Sequence, residues 1–139
     1  MKKLIPILFL SLTLISAPLF ADVVVVVGAQ ASTAALDKQT ISDIFLGKSA
    51  TLPNGEPVIP VEQKEDSPLR EEFHNKVTNK SSNQLRAYWS KQIFSGKGKP
   101  PKEVADSPSV KQLVTTTPNA VGYIEKATVD GSVKVLLEP

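Results

Sequence analysis

Five consecutive valines follow Asp22, and this run limits the folds that are open to the chain. Residues Val23–Val27 are β-branched, apolar in both directions and too few for a stable helix, which is typical of a strand buried on both faces of a sheet. A strand covered on both faces needs other layers above and below it. The run therefore predicts a three-layer α/β domain.

The rest of the chain supplies helices and strands for such layers. Apolar residues recur at helical spacing after capping residues such as Asp37 and Ser67, and short apolar runs between turn-forming residues indicate strands. Their alternation predicts a mostly parallel sheet. The predicted helices are 38–46, 68–79, a third that opens within 81–83 and runs to 94, and a fourth from 107 to about 115. The predicted strands are 23–27, 58–61, 120–124 and 133–137. We expect Phe45, Phe73, Trp89, Leu113 and Tyr123 in or beside the core. The apolar row of the third helix is expected to comprise Leu85, Tyr88, Trp89 and Phe94.

The first 21 residues have the pattern of a signal peptide. Two lysines precede an apolar run, which closes on small residues at Ala17 and Ala21. We expect export through the Sec pathway to the periplasm, with cleavage before Asp22 and a single domain over residues 22–139. No later apolar stretch approaches the ~20 residues that span a bilayer, so no membrane insertion is expected after cleavage.

Composition argues against several classes of function. The loss of Lys2 and Lys3 with the signal peptide leaves equal numbers of basic and acidic residues, and a neutral chain is a poor partner for nucleic acids and anionic membranes. Without cysteine there is no thiolate chemistry. His74 is the only histidine and is interpreted as an exposed helical residue without a role. We expect no enzyme activity, metal or cofactor.

The junction between the strand 58–61 and the helix beginning at Pro68 is the best candidate for a binding site. In parallel sheets ligands collect where strands end and helices begin, because free amides and the helix dipole favour anions there. Ser67 and Arg70 are residue types that bind anions. Two interpretations stay open, since Ser67 is also a plain helix cap and the surrounding segment Glu62–Glu72 is acidic.

Three stretches together resemble one known family: Ile44–Lys48, Arg86–Pro101 and Thr117–Ile124. They are similar to the periplasmic phosphate-binding proteins of ABC transporters, especially the short stand-alone members. The resemblance covers essentially the whole predicted mature chain, with the stretches in the same order. It implies the fold of a type II periplasmic binding protein and the capture of an oxyanion by amides and hydroxyls at helix N-termini.

Two departures from this family bear on function. Full-length receptors have two lobes that close over the ligand, whereas this chain provides about one lobe. The receptors also carry Ser-Gly-Thr at the helix start where this chain has Ser67-Pro68-Leu69, so a close backbone approach, one amide donor and the threonine hydroxyl are lost. The resemblance carries over Ser67 and Arg70 as ligand-binding residues, with Ser32 and Thr33 as further candidates after the first strand.

The resulting functional hypothesis is an exported solute-binding-protein-like module that binds phosphate or a related oxyanion weakly, in ABC-type phosphate uptake or sensing. Its expected partners are that anion and an ABC permease or another periplasmic or membrane protein. The alternative is a periplasmic interaction or accessory protein that has lost ligand binding. The first hypothesis predicts a concave site shared by Ser67, Arg70 and Ser32 or Thr33, and an Arg70→Ala variant that loses binding with an unchanged melting temperature.

Overall fold

The computed structural model describes residues 22–139, so the predicted signal peptide lies outside the described residues. Ten elements follow one another along the chain, and the last helical one is a single 3-10 turn, Lys126–Thr128. The other nine are β1 (Val23–Gly28), α1 (Lys38–Phe45), β2 (Ile59–Gln63), α2 (Pro68–Val77), α3 (Ser82–Phe94), β3 (Lys102–Val104), α4 (Ser107–Thr116), β4 (Ala120–Glu125) and β5 (Val133–Leu137).

One mixed sheet joins the five strands in the order β3-β2-β4-β1-β5. β2 runs parallel to β3 and β4, while β1 runs antiparallel to both of its neighbours, β4 and β5. Four strands therefore point one way and β1 points the other way. The predicted parallel direction is correct for the four, but the valine strand runs against them.

Helices cover both faces of this sheet, as the valine run predicts. Val23, Val25 and Val27 pack with residues of α1 and α2, whereas Val24 and Val26 pack with residues of α4. Alternate side chains of a strand point to opposite faces, so five successive valines serve two separate cores. The predicted three-layer α/β class is confirmed.

Aromatic rings fill the core between the sheet and the pair α1 and α2. Phe73 stacks on Tyr123 with ring centroids 4.2 Å apart, and Phe45 lies 4.7 Å from Phe73. Trp89 is buried as predicted, although it packs at the end of α1, where its ring lies against Gly47. Leu113 is only partly buried beside the α4 core.

Side-chain caps determine where the helices begin. Asp37 accepts a hydrogen bond from the Thr40 amide at 2.8 Å, and Asp106 accepts from the Ser109 amide at 3.0 Å. Ser81 and Gln84 form a reciprocal capping box at the start of α3. These caps satisfy amides that the first helical turn leaves without a partner, so the predicted helix starts agree closely with the structure.

Two local predictions were wrong. Residues Lys102–Val104 form the edge strand β3, which has no apolar alternation in its sequence and is held in place by pairing with β2. Phe94, predicted in the apolar row of α3, is 95% exposed, and Ile93 beside it is 56% exposed, so the rest of the domain leaves the end of this helix uncovered. Both errors arise where tertiary position overrides local pattern.

Candidate functional site

The site predicted from the sequence lies where β2 and β4 end and where α2 and α4 begin. β2 and β4 are parallel, so their carboxyl ends meet at the same edge of the sheet. Ser67 precedes α2 and Ser107 opens α4, each followed directly by proline. Two helix N-termini therefore face one cleft at this edge.

Buried Gln63 links these two helix starts. Its Nε2 donates to Ser107 Oγ at 3.0 Å and to the Tyr123 carbonyl at 3.2 Å, while its Oε1 accepts from Ser67 Oγ at 2.9 Å. Ser67 Oγ in turn accepts from the Arg70 amide at 3.4 Å. The cap role of Ser67 is confirmed, and its hydroxyl proton is committed to Gln63.

Glu62 precedes Gln63 in β2 and is 2% exposed. Its carboxylate Oε1 contacts His74 Nε2, and His74 Nδ1 lies 2.8 Å from Thr78 Oγ1. Thr78 donates its own proton to the His74 carbonyl at 3.2 Å, so Nδ1 must be the donor to Thr78. Glu62 and His74 are therefore a buried, directly contacting pair.

Arg70 is occupied by three partners of the protein itself. Its Nη1 donates to the Gln63 carbonyl at 3.0 Å and to Glu103 Oε2 at 3.3 Å, and its Nε lies 3.8 Å from Glu62 Oε1. Its side chain is mostly buried. Given these contacts, we expect Arg70→Ala to lower the melting temperature rather than leave it unchanged, because the truncation would remove a cation from beside a buried carboxylate.

Tyr123 completes the buried cluster from β4. Its hydroxyl accepts from the Gln63 amide at 3.1 Å and lies 3.4 Å from Glu62 Oε1. Burial, followed by the nearby Glu62 charge, raises the pKa of this phenol well above its usual range. Tyr123 is therefore a neutral hydrogen-bond donor at every physiological pH.

The cleft itself has a volume of about 830 Å³ and an acidic rim. Glu71, Glu72 and Glu125 line it, and the cation in its wall, Lys76, is paired with Glu72 at 2.7 Å. Arg70 is not part of the lining. The remaining lining residues are Gln63, Ser67, Pro68, Leu69, Asn75, Ser107, Pro108 and Thr128.

The structure does not bring the four predicted site residues together. Ser32 and Thr33 follow β1, and β1 is antiparallel to β4, so they lie at the opposite edge of the sheet from Ser67 and Arg70. Ser32 is exposed and Thr33 is buried beneath a separate shallow depression. A site that Ser67 and Arg70 share with Ser32 or Thr33, as the first hypothesis required, is absent from residues 22–139.

The interpretation of His74 as an exposed residue was wrong, since only 1% of it is accessible. Sequence reasoning also missed Glu62 and Gln63 as buried polar residues. One signal was available: Arg70, His74 and Thr78 recur at i, i+4 and i+8, directly beside the apolar row Leu69, Phe73 and Val77. A polar row adjoining an apolar row indicates a wide buried face that needs a polar partner.

Within residues 22–139, no group of three or more His, Asp or Glu side chains is placed to hold a metal ion. None of their helices has the length and apolar character needed to cross a bilayer.

The arrangement of the sheet and its helices is shared with solved structures. A phosphate ABC transporter substrate-binding protein from Clostridium perfringens, solved with bound phosphate, superposes with a TM-score of 0.67 at 22% identity. The match covers 83% of this chain and 44% of that one. The fold is similar to one half of a phosphate receptor. The resemblance expected from the sequence is thus confirmed for the fold.

Further structures agree. An ABC-type phosphate transport receptor from Vibrio cholerae gives a TM-score of 0.66 at 19% identity, covering 83% of this chain and 45% of that one. PstS from Borrelia burgdorferi gives 0.62 at 11% identity, with 83% and 46% covered. The chain therefore spans less than half the length of the receptors that it matches. No family model matches the sequence, and no curated protein matches it either.

Proposed function

We propose that the chain is an exported, periplasmic solute-binding-protein-like module, with a signal peptide over residues 1–21 and a single binding domain over 22–139. The main support for this proposal is the fold that the chain shares with one half of phosphate receptors, one of which was solved with bound phosphate. The proposed activity is binding rather than catalysis, in ABC-type phosphate uptake or sensing, with an ABC permease or another periplasmic or membrane protein as partner.

The proposed ligand is phosphate or a related oxyanion, at the cleft where α2 and α4 begin. Both prolines lack an N–H, and the amides of Arg70 and Ser109 are capped by side chains. First-turn geometry leaves the amides of Leu69 and Ser107 outside the helical ladder, where they can donate to an anion. Two helix dipoles add a favourable field at the same place.

Weak affinity follows from the same geometry. The carboxylates of Glu71, Glu72 and Glu125 oppose an anion, and Arg70 would have to exchange Glu103 for the ligand in order to contribute. The described residues also supply only one wall, so water competes for the oxygens of the ligand. We expect a Kd of roughly 0.1–1 mM for phosphate, which corresponds to about −4 to −5.5 kcal/mol.

An amide-resolved NMR titration of residues 22–139 tests this proposal. Phosphate should shift the Leu69 and Ser107 amides with a common Kd, and chloride at matched ionic strength should not. Glu103→Gln should tighten binding by about threefold, because it frees Arg70 from a competing carboxylate. Glu56→Gln is the matched control, since exposed Glu56 lies before β2 in a depression shared with Ser32, at the opposite edge of the sheet.

A second candidate function is favoured by the occupied Arg70 and the acidic rim. It is an interaction or accessory protein that has lost ligand binding. Under it, phosphate and sulfate at about ten times the upper expected Kd would leave both amides unshifted. Shifts concentrated around Ser32 and Thr33 would instead move the anion site to the opposite edge of the sheet.

A further inference from the structure

The overall neutrality of the predicted mature chain conceals a strong segregation of charge. Residues 73–102 contain seven lysines and arginines and no aspartate or glutamate, so all 14 acidic residues of the protein lie outside this segment. Counting the whole domain therefore underestimates its attraction to anionic surfaces. The segment comprises the end of α2, all of α3 and the loop that leads into β3.

Most of these cations are free of acidic partners. Lys76 pairs with Glu72 and Arg86 pairs with Glu65. None of the ion pairs formed within residues 22–139 involves Lys91, Lys97 or Lys99. Their charge is available to an outside partner.

Two apolar side chains stand among these lysines. Leu85, Trp89 and Ile93 form one row of α3 at i, i+4 and i+8; the first two are buried, but Ile93 is 56% exposed and Phe94 is 95% exposed. Gly96, with a φ of 69°, ends the helix immediately afterwards, and residues 95–100 are all exposed. We call Lys91, Ile93, Phe94, Lys97 and Lys99 the basic tip.

We propose that the basic tip docks the protein on the surface of an anionic lipid bilayer. Phe94 and Ile93 would enter the interface between headgroups and acyl chains, while the lysines remain beside anionic headgroups. Binding to a fluid lipid surface requires charge and exposed apolar area but no fixed contact geometry. Long lysine side chains on a glycine-containing loop suit such a surface. A protein partner is less favoured, because the cores of protein interfaces are depleted in lysine.

This docking is peripheral and independent of oxyanion binding, so either proposal can fail alone. The test uses residues 22–139, which contain every described strand and helix and both core clusters, and a flotation assay with two vesicle preparations. One is phosphatidylcholine alone, and the other contains about one third phosphatidylglycerol. The protein should float with the anionic vesicles only, and added salt should release it.

Variants of the basic tip sharpen the assay. Lys97→Gln with Lys99→Gln should lower the partition coefficient at least tenfold at low salt, and Phe94→Ser should lower it about fivefold. Neither change should alter the melting temperature, because these side chains are exposed. The matched controls are Lys38→Gln with Lys48→Gln, and Ile59→Thr, which remove exposed charge and exposed apolar surface elsewhere and should leave the partition unchanged.

Three results would overturn the proposal. The protein could remain in solution with both vesicle preparations, or the tip and control variants could bind vesicles equally well. In the third result, the protein does not bind vesicles, and the tip variants abolish its binding to an acidic periplasmic protein. The basic tip would then be a protein interface.

Discussion

The face of the sheet covered by α1 and α2 packs three aromatic rings above a buried carboxylate, whereas the face covered by α4 packs aliphatic side chains around glycine. On the first face Tyr123 and Glu62 come from neighbouring strands, and on the second Val61 lies beside Gly122. The first face is held partly by specific hydrogen bonds and the second by close approach. Mutations should therefore affect the two faces by different physical mechanisms.

The largest expected effect is on the aromatic face. Phe73→Ala removes a ring that contacts both Phe45 and Tyr123 and should lower the free energy of unfolding by roughly 3–5 kcal/mol in urea denaturation. Phe94→Ala is the control for a phenylalanine without core contacts and should change the same quantity by less than about 0.5 kcal/mol. Similar losses of unfolding free energy in the two variants would mean that the aromatic contacts do not stabilise this face of the sheet.

The buried ion pairs on that face should come next. Arg70→Ala removes the guanidinium beside the buried Glu62 and the donor to the Gln63 carbonyl, and should cost about 3 kcal/mol. Arg86→Ala breaks an exposed pair with Glu65 and should cost less than about 1 kcal/mol.

A double-mutant cycle separates the charge from the packing of Arg70. If Glu62 is the reason for the loss, combining Glu62→Gln with Arg70→Ala should cost less than the two changes added together. Additive losses would place the effect of Arg70 in its stem contacts instead.

The α4 face should respond to added volume. A Cβ at Gly122 would overlap Val110 Cγ1, so Gly122→Ala should destabilise by about 1–3 kcal/mol. Val110→Ala should relieve part of this loss when the two are combined.

Gly28 supplies the matched test on the same face. A Cβ there would meet the Val114 backbone oxygen at 2.5 Å, which no side-chain truncation removes. Gly28→Ala should therefore gain nothing from Val114→Ala. Rescue of both glycine variants, or of neither, would contradict the distinction between side-chain and backbone contact.

The smallest expected effect is on the stability of the protein at acidic pH and involves Asp130, which lies outside both cores. Hydrogen bonds from Lys111 at 2.6 Å and from Ser132 hold the pKa of Asp130 below its usual range. A carboxyl with a lowered folded-state pKa stabilises the protein above its unfolded pKa and loses that contribution as the pH falls. Asp130→Asn should make the acid dependence of the melting temperature below about pH 4 less steep. Lys111→Gln should do the same, and an unchanged slope in both would exclude this pair as a cause.

Sequence reasoning succeeded where one local signal was sufficient. The valine run predicted a strand buried on both faces, and Asp37 and Ser67 predicted helix starts, because β-branching and capping act within a few residues. β3 was missed because a three-residue strand exists only through its pairing with β2. The reversed direction of β1 was missed because the residue pattern of a strand identifies the strand but does not show how the chain connects it to its neighbours.

The candidate site was harder to predict than the fold. Ser67 was correctly placed at a helix start facing a cleft, but the partners of Arg70 come from β2 and β3, and those of His74 come from β2 and its own helix. In the sequence, Glu62 was only one member of the acidic segment Glu62–Glu72. Its burial depends on which face of β2 it occupies, and a shift of one residue would have placed it on the other face.

The antiparallel placement of β1 also has a consequence for the order of folding. Val23 pairs with Glu125 and Val25 with Leu137. The first strand of the domain therefore cannot form its sheet hydrogen bonds until the last two strands, β4 and β5, are available. Such long-range pairing slows folding, because loop closure precedes any gain in contacts. Until then the valine run is an uncharged, strongly β-prone segment without neighbours, which is the signature of aggregation. A chaperone that shields residues 23–27 during synthesis would therefore raise the yield of native protein more than one that acts on any helix.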